Sequence, residues 1–243
     1  MRFLLIFRPV LAAAALLALV PAARAADIST VQNLSQAEFR ELSEDLGAAL
    51  SFKPMIPSES MGTTGFDVGV GVTGTRLAHR GVWAKASGGS EPESTLPVGT
   101  VRVHKGLPFD VDVGASLSTT STNARAIGGE VRWAVLPGST VVPAVALRAS
   151  ASMLTGVGQI DLNTYGFDVS VSKGFAMLTP YAGVGTVLVR SRPDAGTGLA
   201  RESFSQTKLF AGLNVNLGLV NLAFEGDRTG DTTSYGVKAG FRF

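Results

Sequence analysis

The chain has no cysteine in 243 residues and only two histidines. An exported protein without a disulfide must be stable by other means. The histidines, His79 and His104, belong to different parts of the predicted fold, so no shared metal site or triad follows from them. Charge is scarce too, at 16 % of residues, where a soluble domain carries about a quarter. No stretch after the N-terminal leader approaches 18 unbroken apolar residues, which excludes a transmembrane helix from the exported chain. Against these absences stand 45 % hydrophobic residues and 29 glycines. So many apolar side chains with so little charge have to be hidden, and a membrane hides them without a large core.

The leader is readable. Arg2 and Arg8 flank an apolar opening, 10–20 is almost wholly Ala, Leu and Val, and Ala23-Arg24-Ala25 supplies a small-x-small site. This predicts a secretory signal peptide cut after about Ala25. Its apolar core is too short to span about 30 Å of hydrocarbon at about 1.5 Å per residue. Its removal takes three arginines and no acid, so the balance moves from 21 basic and 19 acidic residues to 18 and 19. The basic character thus belongs to the leader, and a nucleic-acid partner loses its main support. The remaining length, about 218 residues, suits one domain.

Two periodicities divide that remainder. In 26–64, Ser35-Gln36-Ala37-Glu38 has the spacing of a helix capping box. Phe39, Leu42, Leu46, Ala49 and Leu50 then recur at helical spacing, predicting one short amphipathic helix over about 36–50. It is expected either beneath a barrel in the periplasm or as a plug in its lumen. From Gly65 to Phe243 the period becomes two, and ten stretches read as strands. Phe66, Val68, Val70 and Val72 mark the first, and Val111, Val113, Ala115 and Leu117 the third. In the seventh, Tyr181, Val187 and Val189 are taken as the outer set because Arg190 has the opposite parity; in the eighth the set is Leu209 to Leu217. Most stretches have the length that a tilted strand needs to cross a bilayer. Short connections after strands two, four, six and eight alternate with longer ones at 76–95, 119–125, 155–162, 191–203 and 226–232, which places both barrel ends of the chain in the periplasm. The 76–95 segment leaves open a further hairpin, and with it twelve strands.

The fold class that follows is all-β: an antiparallel up-and-down transmembrane β-barrel of about ten strands with a short N-terminal helix. A soluble barrel would turn its apolar face inward around a ligand, and alternation alone does not separate the two cases. Charge does. The apolar faces are free of charge, whereas Asp67, Arg102, Asp110, Asp112, Glu130, Arg132, Arg148, Asp168, Lys208, Glu225, Lys238 and Arg242 share the opposite faces. An Arg or Lys at the lipid midplane costs about 2–4 kcal/mol, so this set is expected in the lumen, where six acids and six bases can pair across strands. A polar filling that closes the barrel is favoured over a conducting pore. The expected membrane-facing residues include Val111, Val113, Val131, Trp133, Leu147, Phe167, Val169, Leu213, Val215, Tyr235 and Phe241. Trp133, Tyr165, Tyr181, Tyr235, Phe109 and Phe243 are placed for interfacial aromatic girdles. The last strand ends on an aromatic carboxy terminus, with Tyr235, Val237, Phe241 and Phe243 on one face. It resembles the signal that outer-membrane barrels present to their insertion machinery, which the resemblance implies as a partner alongside the lipid bilayer.

Catalytic patterns are thin. Asp110 and Asp112 put two carboxylates on one face, and omptin-type outer-membrane proteases use paired acids with a histidine, but no Asp-x-His accompanies the pair. No Gly-x-Ser-x-Gly elbow occurs, and Gly69-Val70-Gly71 and Gly183-Val184-Gly185 lie inside strands, not before a helix. No catalytic, metal or cofactor residue is assigned, and neither an enzyme nor a bound cofactor is expected.

The stretches 42–54, 105–109 and 172–175, together with Gly114-Ala115 and Thr179-Pro180-Tyr181-Ala182-Gly183-Val184-Gly185, resemble a proteobacterial family of outer-membrane β-barrels classed as a domain of unknown function, porin-like and small. The resemblance spans nearly the whole exported chain. It implies an outer-membrane location and a barrel, and it carries over no functional residue. The leading expectation is a barrel acting as a structural protein or a narrow passive channel for small solutes. Binding through the surface loops, around Trp83 and 191–203, and a soluble periplasmic ligand-binding barrel are the alternatives. Solute and oligomeric state are not specified by the sequence.

Overall fold

The computed structural model describes residues 27–89 and 93–243; the expected signal peptide, 1–25, lies outside the described residues. Alternating side chains from Phe66 onward build ten strands: β1 (Phe66–Arg76), β2 (Thr95–Gly106), β3 (Val111–Thr120), β4 (Arg125–Leu136), β5 (Ala144–Thr155), β6 (Ile160–Ser172), β7 (Leu178–Pro193), β8 (Glu202–Leu217), β9 (Val220–Thr229) and β10 (Thr232–Arg242). Each pairs antiparallel with its chain neighbours, and β1 pairs with β10, so the sheet is a closed barrel. The seam runs from Asp67 opposite Arg242 to Arg76 opposite Thr233. Beyond it, Phe66 N–H donates to Phe243 O at 2.6 Å and Phe243 N–H returns to Phe66 O at 3.0 Å. Closure leaves no sheet edge to be satisfied by water or by another chain.

One rim, here the termini end, carries the start of β1 and the end of β10 with connections 107–110, 137–143, 173–177 and 218–219. The other, the loop end, carries 77–94, 121–124, 156–159, 194–201 and 230–231. The alternation in length is weaker than the sequence predicts. The supposed loop 226–232 shrinks to a turn at Gly230-Asp231, Gly230 adopting φ 58°, because Asp227 and Thr229 continue β9 with inward side chains. β8 begins at Glu202, well ahead of Leu209, since Phe204, Gln206 and Lys208 already alternate inward. Only 77–94 and 194–201 remain long. The first contains α2 (Arg80–Ala86) among its described residues and no extra hairpin, so ten strands is the count for the described chain.

The N-terminal helix α1 (Gln36–Leu50) forms with the expected capping box: Glu38 N–H donates to Ser35 Oγ at 3.3 Å, and Ser35 N–H to Glu38 Oε2 at 2.9 Å. It lies inside the barrel, not beneath it. Phe39, Leu42 and Leu46 are fully buried in one cluster with Leu96, Val98, Leu154, Ile160, Leu162, Val187, Val189 and Phe204, which are inward residues of β2, β5, β6, β7 and β8. Each such apolar side chain contributes about 2 kcal/mol on burial. A Cβ on Gly47 would stand 2.6 Å from Val189 Cγ2, so the helix meets β7 at a distance that only glycine allows.

This packing overturns the expected facing of β7. Val187 and Val189 point inward onto α1, Tyr181 points inward at 4 % exposure, and Arg190 points out. The lumen near the loop end holds a helix and is itself apolar, so hydrophobicity no longer identifies the outer face at Val187 and Val189; Tyr181, nearer the termini end, turns in because its hydroxyl donates to Glu225 Oε2 at 2.9 Å. Ahead of α1, Ser29 N–H and Thr30 N–H both donate to Ala86 O at 3.0 Å, tying 27–34 to the loop end. After α1 the chain descends through the lumen and enters β1 at the termini end. It therefore crosses the barrel once before the first strand.

Ten closed strands with this hydrogen-bond ladder predict a barrel that survives detergent until heated. An unboiled sample should migrate differently from a boiled one on a denaturing gel; identical mobility would contradict closure.

Candidate functional site

The lumen is the place where chemistry-bearing side chains converge, and it has two layers. Near the loop end the wall is apolar and wraps α1. Toward the termini end it becomes ionic, and 51–61 passes through it with no strand partner. A backbone buried outside a sheet must still satisfy its polar groups. Pro54 and Pro57 remove two N–H donors from this stretch, leaving mainly carbonyls in need of donors. The wall cations supply them. Lys208 Nζ donates to Phe52 O at 2.7 Å, and Arg102 Nη1 to Lys53 O at 2.8 Å and Pro54 O at 3.3 Å. Arg132 donates to Pro57 O and, at 3.2 Å, to Glu59 O.

Three backbone donors of the segment meet wall acceptors. Met55 N–H donates to Glu225 Oε2 at 2.7 Å, an oxygen that also accepts from the Tyr181 hydroxyl at 2.9 Å. Ser58 N–H donates to Ser172 Oγ at 3.0 Å, and Met61 N–H to Asp112 Oδ1 at 3.2 Å. Lys53 turns its ammonium onto Asp227 Oδ1 at 2.8 Å and Ala48 O at 2.9 Å. Around the segment the wall pairs with itself. Arg132 holds Asp112, its cross-strand partner; Arg148 lies 3.4 Å from Glu130 and 3.3 Å from Asp168; His104 lies 3.0 Å from Glu130; and Lys238 lies 2.8 Å from Asp67.

At the top of the lumen a carboxylate absent from the sequence reading fixes the helix. Asp45, fully buried, accepts from Ala78 N–H at 3.2 Å, His79 N–H at 3.0 Å, Trp83 Nε1 at 3.0 Å and Thr232 Oγ1 at 3.1 Å, with His79 Nδ1 at 3.3 Å. It joins α1 to the first loop and to β10 at once. Ser43 Oγ meets Ser191 Oγ on β7 at 2.9 Å. Glu38 pairs with Lys85 on α2, and this hydrogen bond, with that from the Ser35 amide, holds the Glu38 carboxyl below its ordinary range. Within 36–50, Asp45 stands out only as an acid among apolar residues; what could have marked it is its place beside Leu42, Leu46 and Ala49 on the buried side.

Of the charged residues expected in the lumen, Asp67, Arg102, Asp112, Glu130, Arg132, Arg148, Asp168, Lys208, Glu225 and Lys238 are buried in the interior, and Arg242 lies at its lower rim, 3.4 Å from Asp67. Asp110 does not join them: it sits exposed in the 107–110 connection with φ 57°, outside any strand, so its alternation with Asp112 has no meaning there. The two aspartates thus share no site. Asp227 and His104 belong to the buried set, although the sequence pattern alone puts Asp227 in the 226–232 loop and gives His104 no partner. No cluster of three or more metal-ligating side chains occurs among the described residues.

The outer wall is the inverse of a soluble surface. Tyr235 is 71 % exposed, Phe167 66 % and Leu117 61 %, and Val131, Trp133, Leu147, Val169 and Phe241 are exposed with them. Val111, Val113, Leu213 and Val215 take the same outward parity at intermediate exposure. Soluble proteins rarely expose apolar patches beyond a few hundred Å²; a closed sheet with a greasy exterior and an ionic interior is a barrel suited to hydrocarbon. Phe109, Phe175 and Phe243 are exposed at the termini end and Tyr235 toward the loop end, whereas Tyr181 is removed from any girdle by its inward bond to Glu225.

No family model matches the chain, and no curated protein matches it. Among solved structures it is similar to the N-terminal β-barrel domain of OprF from Pseudomonas aeruginosa, at 14 % identity over 73 % of this chain and 97 % of that one, TM-score 0.37. It is also similar to the Yersinia pestis outer membrane protein Ail, at 11 % identity over 74 % and 99 %, TM-score 0.38. A third match is the translocator domain of the autotransporter NalP from Neisseria meningitidis, at 13 % identity over 88 % and 100 %, TM-score 0.38. Matches at this level carry no argument about ligand or activity.

The clamp at Asp45 generates a direct expectation. Asp45→Ala leaves several buried donors without an acceptor, at about 1–3 kcal/mol each. Hydrogen exchange of the α1 amides should accelerate by about a hundredfold, with strand amides unchanged; unaltered α1 protection would show that Asp45 is not its anchor.

Proposed function

We propose that the protein is an integral outer-membrane barrel whose passage is closed by its own N-terminal segment, a structural element of the envelope and not a standing channel. The observation that carries this reading is the occupied lumen. Between α1, 51–53 and the walls of β1 to β5 a cavity in the bore measures about 20 Å³, roughly the room one water needs. Solute flow by the narrow-channel mode would require the whole segment to move, breaking the Arg102, Arg132 and Lys208 bonds to its carbonyls. The apolar belt supports residence in a bilayer, and the exposed aromatic face of β10 suits recognition by the insertion machinery. A soluble ligand-binding barrel needs an apolar bore with space for a ligand; this bore is apolar only where α1 fills it.

A surface-binding role is favoured by one feature. Residues 27–34, α2 and Gln159 form an ordered cap at the loop end: Thr30 Oγ1 donates to Lys85 O at 2.7 Å, Val31 N–H to Gln159 Oε1 at 2.9 Å, and Gln159 Nε2 to Ser29 O at 2.7 Å. With the loop end outward, this cap and the residues that begin it face the cell's surroundings.

Two measurements test the reading. In planar bilayers the intact protein should pass no current above background, and a variant starting at residue 65 that keeps heat-modifiable mobility should conduct; steady conductance by the intact protein would eliminate the closed-barrel reading. On whole cells Gln32→Cys in this cysteine-free chain should react with a membrane-impermeant maleimide as Gly196→Cys does. Labelling of Gly196→Cys alone would contradict the outward cap.

A further inference from the structure

Outward side chains change character abruptly at the loop end. Below it the outer wall of β5 to β8 is apolar or neutral, with Met153, Tyr165, Phe167 and Leu209 exposed. Above it the outward residues of β4, β7 and the β7–β8 connection include Arg125, Arg190, Arg192 and Arg201, all exposed. β7 and β8 are the longest strands, at 16 residues each, and carry the last three of these arginines to the rim. There an open cleft of about 760 Å³ is lined by Met153, Asn163, Tyr165, Arg190, Arg192 and Arg201, among others. The Arg190 guanidinium stacks on the Tyr165 ring, 5.4 Å from its centroid. Arg192 and Arg201 have no carboxylate partner among the described residues. Asp161 and Glu202 also border the cleft, and Glu202 is engaged by Gln36 and by Arg40, the latter 3.5 Å distant. Three arginines against two acids leave the cleft net basic, and the exposed Met153 and Tyr165 join it to the apolar outer wall.

We propose that this cleft binds the phosphate-bearing headgroup of a lipid in the leaflet at the loop end, with the acyl chains lying along Met153 and Tyr165. Guanidinium groups recognise phosphate oxygens through paired, charge-assisted hydrogen bonds. Three of them above an apolar wall match an amphiphile, whereas a free phosphate would use only the upper half. Outward arginines at this level also avoid the midplane cost of a charge in hydrocarbon. The inference rests on the membrane reading of the outer wall and adds to it a ligand class and a site.

The test uses the full exported chain in phosphatidylcholine nanodiscs, with diphosphorylated lipid A and its dephosphorylated form as probes. Heat-modifiable mobility is recorded for every variant, so that loss of the barrel is distinguished from loss of the site. Wild type should retain the phosphorylated probe at least about tenfold better than the dephosphorylated one. The triple variant R190Q/R192Q/R201Q should lose that preference, and R228Q, on β9 outside the cleft lining and paired with Asp231, should keep it. An unchanged preference in the triple variant, an equal loss in R228Q, or full displacement of the lipid by inorganic phosphate would overturn the proposal.

Discussion

The unpartnered backbone of 51–61 inside the barrel is the constraint on which the rest of the structure depends. A strand wall satisfies its own amides, but a single extended segment in the bore cannot, and each buried carbonyl left without a donor costs on the order of 1–3 kcal/mol. Arg102, Arg132 and Lys208 meet that need at Phe52, Lys53, Pro54, Pro57 and Glu59. Cations buried in this way need counter-charges. Asp112, Glu130, Asp168 and Glu225 provide them from the same wall, and Asp227 serves Lys53. The near balance of acids and bases inside thus has a cause in the chain that threads them.

The two layers of the lumen follow from the two halves of that N-terminal segment. A helix satisfies its own backbone and presents side chains, so the wall around α1 is apolar, and its polar contacts gather at Ser43, Asp45 and the two ends of the helix. An extended segment presents its backbone, so the wall around it is ionic. The amphipathic pattern of 36–50, weak in its polar face, belongs to a helix enclosed on nearly all sides, with its exposed residues confined to the end nearest the loop rim.

Much of this was legible in the residues, and the largest failure has one origin. Strict alternation in β1, β3, β4, β6 and β10, together with the exclusion of charge from one face, predicts both the strands and their facing. Ser35 and Glu38 announce the start of α1 correctly. The rule that apolar means outward then breaks wherever a helix replaces water in the bore. At Leu96 and Val98, Leu154, Ile160 and Leu162, Val187 and Val189, and Phe204, apolar residues occupy the inner face. Their clustering toward the loop ends of five strands was a readable sign that something apolar fills that level. Asp110 failed for a different reason: a positive φ in a turn ends the alternation that its neighbours obey. Asp227 and the early half of β8 were lost because polar residues that alternate inward look like loop when only the apolar set is followed.

The central claim is that α1 sits inside the barrel against β7, and a cross-link tests it most directly. Ser43 and Ser191 have hydroxyls 2.9 Å apart in a chain that has no native cysteine. Ser43→Cys with Ser191→Cys should form a disulfide in intact membranes under mild oxidation, seen as an altered mobility that reductant reverses, while either single variant stays unchanged. Failure of the pair to cross-link in a barrel that remains heat-modifiable would contradict the account.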